Sequence, residues 1–298
     1  MNKLTKSPLR LARQALAVGR QVLRRYSSKY NPKVYTQPQL FACLALKAFF
    51  KTDYRGASAL LQDHSDLRTT LGLRTIPHFT TLQKASTRLL RLPRARRLFA
   101  ATIRRFLGRR RRVRRAAFDS TGLDCGHRST YYVRRRSKVE KPWKRVLYSR
   151  YAKLEASFEC TSHLMLAALT GRGPRPDTDR FVPLLDATLE QVRLDVALAD
   201  AGFDSEPNHR YAREEQGVRS YIPATSGRPT DKPPTGRYRR QMKQRLNKDY
   251  GQYGQRWQAE TGWSMVKRRL ARAVQGHTFW SQCRELLLVA ITYNLMLL

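Results

Sequence analysis

The chain has 298 residues, enough to bury one or two cores, with 59 Lys plus Arg against 22 Asp plus Glu and a net charge of +37. Charge of that size repels itself in a compact state unless a polyanion neutralises it, so nucleic acid is the expected partner. Four cysteines without CxxC spacing exclude a zinc knuckle or a disulfide framework and suit a reducing compartment. The longest apolar run, residues 286–296, is interrupted by Thr292 and Asn294 and reads as a buried terminal helix rather than a bilayer span. A membrane surface is the rival polyanion, but the long mixed, aromatic-containing sequence favours a globular nucleic-acid protein.

From Met1 to Thr52 there is no acidic residue, and the opening LTKSPLRLARQALAVGRQVLRRYSSKY is Arg-rich with leucines at near-helical spacing. Its composition resembles an organellar transit peptide; a basic, DNA-contacting helix continuous with the following domain needs fewer assumptions. Residues 39–50 (QLFACLALKAFF) read as a core helix. Short helices follow near residues 54–61 and 65–71, then a turn at Gly72 and a helix entered through Pro77 at its first turn. Helix, Gly-containing turn, helix is the outline of a helix-turn-helix. In its last helix Phe79, Leu82, Leu89 and Leu90 are placed to face a core while Thr80, Lys84 and Arg88 point outward. A packing or dimerisation domain fits the same pattern. Residues 1–100 are thus expected to form a helical, helix-turn-helix-like DNA-binding region, and residues 101–298 a second unit.

Residues 104–115 (RRFLGRRRRVRR) form a cationic block of the kind that usually makes a solvated linker. It runs into AAFDSTGL, a short apolar strand with Asp119 inside it, and a carboxylate on a buried strand needs a partner that a metal would supply. After a second basic stretch at 134–150, strands are expected at 151–160 and 163–171, and an amphipathic helix at 177–192. A buried strand ending at Asp200 follows, then a helix at 207–216 and a strand at 218–224. Three meandering strands followed by alternating strands and helices predict a mixed α/β sheet flanked by helices. Residues 225–248, rich in Pro, Gly and cations, read as a mobile basic connection that orders on DNA. Residues 273–298 close the chain as a largely apolar helix.

In residues 253–267 (YGQRWQAETGWSMVK), Tyr253, Arg256, Glu260, Trp263 and Lys267 stand at offsets 0, 3, 7, 10 and 14. At about 100° per residue they fall within a band of roughly 80° on one helix. That face carries a carboxylate between two cations beside a Tyr and a Trp, which suits a groove for a metal-bound phosphate better than ordinary i,i+4 pairing. Gly254 and Gly262 lower the regularity expected of the helix. Asp119 on the first strand, Asp200 at the end of the fourth and Glu260 on this helix are placed to converge on hard divalent cations, for which oxygen ligands are the right type. Two such ions roughly 3.5 to 4 Å apart stabilise the entering and leaving oxygens of a displacement at phosphorus. Asp124, Glu155, Glu159, Asp177, Asp179 and Asp204 read as caps, turn residues or surface charges.

Tyr253, Arg256, Glu260 and Lys267 match the Y-x2-R-x3-E-x6-K signature, and FDSTG around Asp119 and LADAGFDS around Asp200 look like the other two blocks, of prokaryotic insertion-sequence transposases of the DDE class. The resemblance covers roughly residues 116–298. It implies an RNase H-like catalytic domain in which Asp119, Asp200 and Glu260 bind two Mg2+ ions, with Mn2+ able to substitute. Arg256 and Lys267 would contact transposon-end phosphates, with Tyr253 beside them. It also implies double-stranded DNA as the partner, at transposon ends and target, a homodimer in the DNA complex, and a cytoplasmic, nucleoid-associated location with no membrane. Unlike some members, this chain lacks a large β-rich insertion between the second Asp and the Glu. A metal-dependent nuclease on the same fold and a catalytically decayed basic DNA-binding protein remain the competing readings.

Overall fold

The computed structural model describes residues 4–30, 32–110, 112–125, 151–224, 233–246 and 250–298. The second basic stretch at 134–150 lies outside the described residues, as do 225–232 and 247–249 of the basic connection. Helix α1 (Pro8–Val22) starts where the Ser7 hydroxyl accepts the Arg10 N–H, with Pro8 in its first turn. Leu11, Ala12, Ala15, Leu16 and Val18 are buried while Arg10, Arg13 and Arg20 are exposed. The Arg-rich opening is therefore one amphipathic helix of the fold.

Helix α2 (Gln37–Phe49) opens on a capping box between Thr36 and Gln39 and is buried along most of its length. Next come α3 (Tyr54–Asp63), α4 (Ser65–Leu71), α5 (Phe79–Leu89) and α6 (Leu92–Leu107). Gly72 ends α4 at φ 63°, as the expected turn requires. The connection from Gly72 to His78 is longer than the roughly three- or four-residue turn of a DNA-reading helix-turn-helix. Pro77 lies upstream of α5 rather than in its first turn, because His78 is the capping residue. Leu82, Leu89 and Leu90 are buried and Lys84 is exposed, as the spacing predicts. Phe79 and Arg88 differ: Phe79 is half-exposed beneath the Arg55 guanidinium, 4.7 Å from its ring centre, and Arg88 is half-buried.

Among the described residues six strands pair: β1 (Arg112–Cys125), β2 (Tyr151–Glu159), β3 (Met165–Gly173), β4 (Arg193–Ala199), β5 (Arg219–Tyr221) and the short β6 (Ala273–Val274). Their order is β3-β2-β1-β4-β5, with β6 against the end of β1. The β1–β2 and β2–β3 pairs are antiparallel and the β1–β4 and β4–β5 pairs parallel, giving the mixed sheet that the element order predicts. The cationic block is not a linker. Its first half closes α6 and its second half is the start of β1, where Val113 is buried and Arg112 and Arg114 are exposed. Arg112 Nε donates to both oxygens of Asp195 on β4, at 2.9 and 3.2 Å, so cross-strand pairing holds a segment whose composition suggests solvation.

Between the strands lie α7 (Phe181–Leu189), entered through a 3-10 turn at Thr178–Arg180, and α8 (Glu206–Arg210), continued by a π turn at Tyr211–Glu215. Then come α9 (Arg237–Arg245), α10 (Trp257–Arg269) and α11 (Phe279–Leu297). Phe181 of α7 meets Phe118 on one face of the sheet, 5.6 Å between ring centres. On the other face Trp263 of α10 and Tyr293 of α11 meet Phe158 edge-on at 5.0 and 6.0 Å.

The apolar core runs without a break from Leu11 to Leu297, because α11 packs on β3 and also on α1, α2 and α6. Residue 100, the expected division between two units, falls inside α6. No helix among the described residues is long and apolar enough to cross a membrane. The two residues that interrupt the apolar run of α11 are buried, and Asn294 acts as a clamp. Its side-chain amide donates to Met165 O at 2.9 Å and Thr102 Oγ1 at 3.1 Å, and its carbonyl accepts Met165 N–H at 3.1 Å, joining α11 to β3 and α6. Asn294→Leu should strand these groups at about 1–3 kcal/mol each. Thermal and denaturant unfolding of the variant would show the loss, and unchanged stability would remove the clamp from the account.

Candidate active site

The parallel register of β1 on β4 sets Phe118 opposite Ala199, so Asp119 and Asp200 come next along adjacent strands. Burial pushes the Asp119 carboxyl up to about 6; the Ser120 N–H, donating to Oδ1 at 2.8 Å, opposes the shift, the charge of Asp200 adds to it and Arg256 counters it. Asp200 is also raised by burial, against the Gly202 N–H at 2.9 Å, with Asp177 raising it further. Gly202 leaves room for this approach: a Cβ there would sit 3.0 Å from Asp200 Oδ1, a tight contact, and 3.5 Å from Asp177 Oδ2, an ordinary one.

Glu260 stands apart from the pair. Its side chain is 60% exposed and is engaged by the Arg256 guanidinium one turn earlier. Among the described residues no three His, Cys, Asp or Glu side chains come close enough to hold a metal ion together. Arg256 is shared between Glu260 and the two aspartates, whose charges it also balances.

The face from Tyr253 to Lys267 is not one regular helix. A helical turn at Tyr250–Tyr253 passes through a 3-10 turn, Gly254–Arg256, before α10 begins. Tyr253 and Lys267 are half-buried, with Tyr253 packed against the core. Trp263 does not line a groove; it is buried against Phe158. Gly262 permits that contact, since a Cβ there would meet the Phe158 ring at 2.7 Å, so the glycine that lowers helix propensity is what lets α10 lie on the sheet.

Several acids with a cap or surface reading belong to the neighbourhood of the site. Asp177 Oδ2 accepts the Ser120 hydroxyl at 3.1 Å, and its Oδ1 accepts Lys153 Nζ at 2.5 Å. Lys153 is buried on β2 and also donates to Arg175 O at 2.8 Å. Glu155, two residues on, is buried and paired with Arg180 at 3.1 Å. Asp204 is fully buried and held by Arg239. In sequence Lys153, Glu155, Ser157 and Glu159 alternate with apolar residues as a solvent-facing row would, so their burial is a tertiary effect of α7 covering that face.

The donor set fits a hard divalent cation. Asp119 and Asp200 offer carboxylate oxygens side by side, and the burial and repulsion that raise both would be relieved by a cation between them. A mixed sheet carrying two such carboxylates on adjacent strands, with a third on a following helix, is the outline of an enzyme of the transposase class. The family described as the transposase DDE domain matches residues 110–295, a span that includes Asp119, Asp200 and Glu260, and the chain belongs to that family. Among curated proteins no sequence matches significantly.

The folded Asp119 carboxyl binds its proton more tightly than an unfolded one, so its contribution to stability is full below its ordinary value of 3.8 and lost as pH rises through about 6. Asp119→Asn in chelator should therefore melt higher than the parent protein at about pH 7.5, with the difference closing towards about pH 4. Melting curves at both values check the sign.

Proposed function

We propose that the chain is the transposase of an insertion sequence, which binds the element's ends, hydrolyses one phosphodiester at each and joins the freed 3′-hydroxyl to target DNA. The observation that carries this reading is the juxtaposition of Asp119 and Asp200 by the β1–β4 pairing, inside the span that matches the transposase family. In the first step a water oxygen attacks phosphorus, the bond to the 3′-oxygen breaks and that oxygen leaves as the hydroxyl. In the second, the same hydroxyl attacks a target phosphodiester and displaces a target 3′-oxygen, with no covalent enzyme intermediate. Asp119 and Asp200, with Glu260 as third carboxylate, are the residues that would hold magnesium, with manganese as a substitute, which supplies charge to the attacking and leaving oxygens.

The chain's own groups do the positioning. Arg256 and Lys267 take phosphate oxygens of the transposon end, with Tyr253 beside them. A phosphate arriving at Arg256 competes with Glu260 for the same guanidinium, and so frees that carboxylate to turn towards the aspartates. Recognition of the end sequence falls to the helical region before residue 100, through the exposed side of α5 around Lys84. The protein acts on double-stranded DNA in the cytoplasm, at the nucleoid, as a homodimer that brings two ends together. Between β5, ending at Tyr221, and α10, starting at Trp257, there is no strand among the described residues for a hairpin-forming step to rely on.

The test is incubation of the full chain with magnesium and labelled DNA flanking its own gene, with a second duplex as target. Cleavage at a 3′ end and joining to the target support the reading; cleavage without joining supports a nuclease. Asp119→Asn, Asp200→Asn and Glu260→Gln should each abolish both steps while leaving DNA binding intact or tighter, since removing negative charge does not weaken attraction to phosphate. Near-parental cleavage by any one of them sinks that residue's role.

A further inference from the structure

The connection between Asp200 and Glu260 reads from sequence as mobile, yet residues Arg237–Arg245 form a helix, α9, fastened to the catalytic unit. Its sequence, RYRRQMKQR, has no acid and buries only Met242 among its apolar residues. A helix of this length is marginal alone, so tertiary contacts must hold it. Three carboxylates do so. Asp204, fully buried, accepts from Arg239 Nε at 3.1 and 3.0 Å and from its Nη2 at 2.8 Å. Glu206 accepts the backbone N–H groups of Tyr238 and Arg239, both at 3.1 Å, which satisfies first-turn donors and meets the positive end of the helix. The Tyr238 hydroxyl donates to Glu214 at 2.9 Å.

This fastening fixes the rotation of α9 about its axis. Tyr238, Arg239 and Met242 turn inward, while Arg237, Arg240 and Lys243 are exposed. At about 100° per residue these three cations lie within about 120° of one another, a single ridge. The ridge has a fixed place relative to the site, because Asp204 follows Asp200 by only the 3-10 turn Ala201–Phe203. A chain that commits three acids, out of 22, to keeping a cationic helix in place gains the burial of one methionine, Met242, from it. It also gains a row of charges already ordered, which binds a row of phosphates without the entropic cost of ordering a flexible tail.

We propose that the ridge of Arg237, Arg240 and Lys243 is a phosphate-binding surface for the DNA duplex beside the bond that is cut, with the Asp204–Arg239 pair as the pin that orients it. The identity of the partner rests on the transposase reading. The experiment uses the full chain in magnesium-free buffer, with binding of a duplex followed across a salt series for the parent and for the triple variant Arg237→Gln, Arg240→Gln, Lys243→Gln. None of the three residues is part of the pin, so circular dichroism melting should be unchanged. The slope of log affinity against log salt should become shallower by about 2 to 3, from about 0.9 for each lost phosphate contact. A photo-crosslinker at position 240 should join the duplex within one helical turn of the cleavage point. An unchanged slope and affinity in the triple variant, with a steep slope in the parent, overturns the ridge and leaves the transposase reading standing; crosslinks found only on distant DNA also overturn it. A parent protein that does not bind the duplex at all overturns both.

Discussion

The constraint on which the rest of this structure depends is the parallel register of β1 on β4. By aligning Phe118 with Ala199 it forces two carboxylates, Asp119 and Asp200, to leave adjacent strands side by side. Like charges brought onto neighbouring strands repel one another, so such an arrangement survives only with compensation close by. The compensation is local and asymmetric. Backbone N–H groups of Ser120 and Gly202 bond one oxygen of each carboxylate, and Arg256 balances both from the α10 side. Burial is the main cause that raises both carboxyls, with the charge of Asp200 adding to it at Asp119 and that of Asp177 at Asp200, and a divalent cation would offset both.

Support for this edge of the sheet comes from an unusual source, a buried polar row. Lys153, Glu155, Ser157 and Glu159 all lie on one face of β2, and each has a partner: Asp177, Arg180, Thr188 and Ser162 respectively. Buried charges of this kind are costly when unpaired, so each partner in α7 and its entry turn is fixed in place by the group it satisfies. The Ser120 hydroxyl joins the row to β1 through Asp177. One side of β1 is thereby positioned by electrostatics and the other, through Phe158, Gly262 and Trp263, by close packing.

What sequence made legible follows the same division. The order of strands and helices, the burial of α11 and the positions of Asp119 within a strand and Asp200 at the end of another are written in period and composition, which are local properties. The role of Gly262 was not, because a glycine in a helix signals low propensity and only the third dimension shows Phe158 beneath it. Asp177, Lys153 and Asp204 escaped for a related reason. A charged residue on an alternating strand or in a turn has the same local signature whether water or another chain segment covers it. The start of β1 was misread because four arginines in a row outweigh one buried valine in any local pattern, whereas pairing to β4 decides the conformation.

The helical region before β1 is bound into the same structure rather than appended to it. Lys51, just past the end of α2, donates from Nζ to Arg268 O at 2.6 Å in the last turn of α10, where a cation is favoured by the helix dipole. The Arg10 guanidinium reaches Leu298 O at 2.6 Å, and Asn294 joins α6 to β3. The helix that carries Glu260 is therefore in direct contact, at its far end, with the helices that precede the sheet. At its near end stands Arg256, a cation shared between Glu260 and the aspartates. The whole chain carries a net charge of +37, and the neighbouring Asp119 and Asp200 are a local acidic exception within a cationic molecule. Arg256 counters the charge of Asp119 and Asp200 and pairs with Glu260, so a change at any one of these carboxylates is felt by the guanidinium that serves the others.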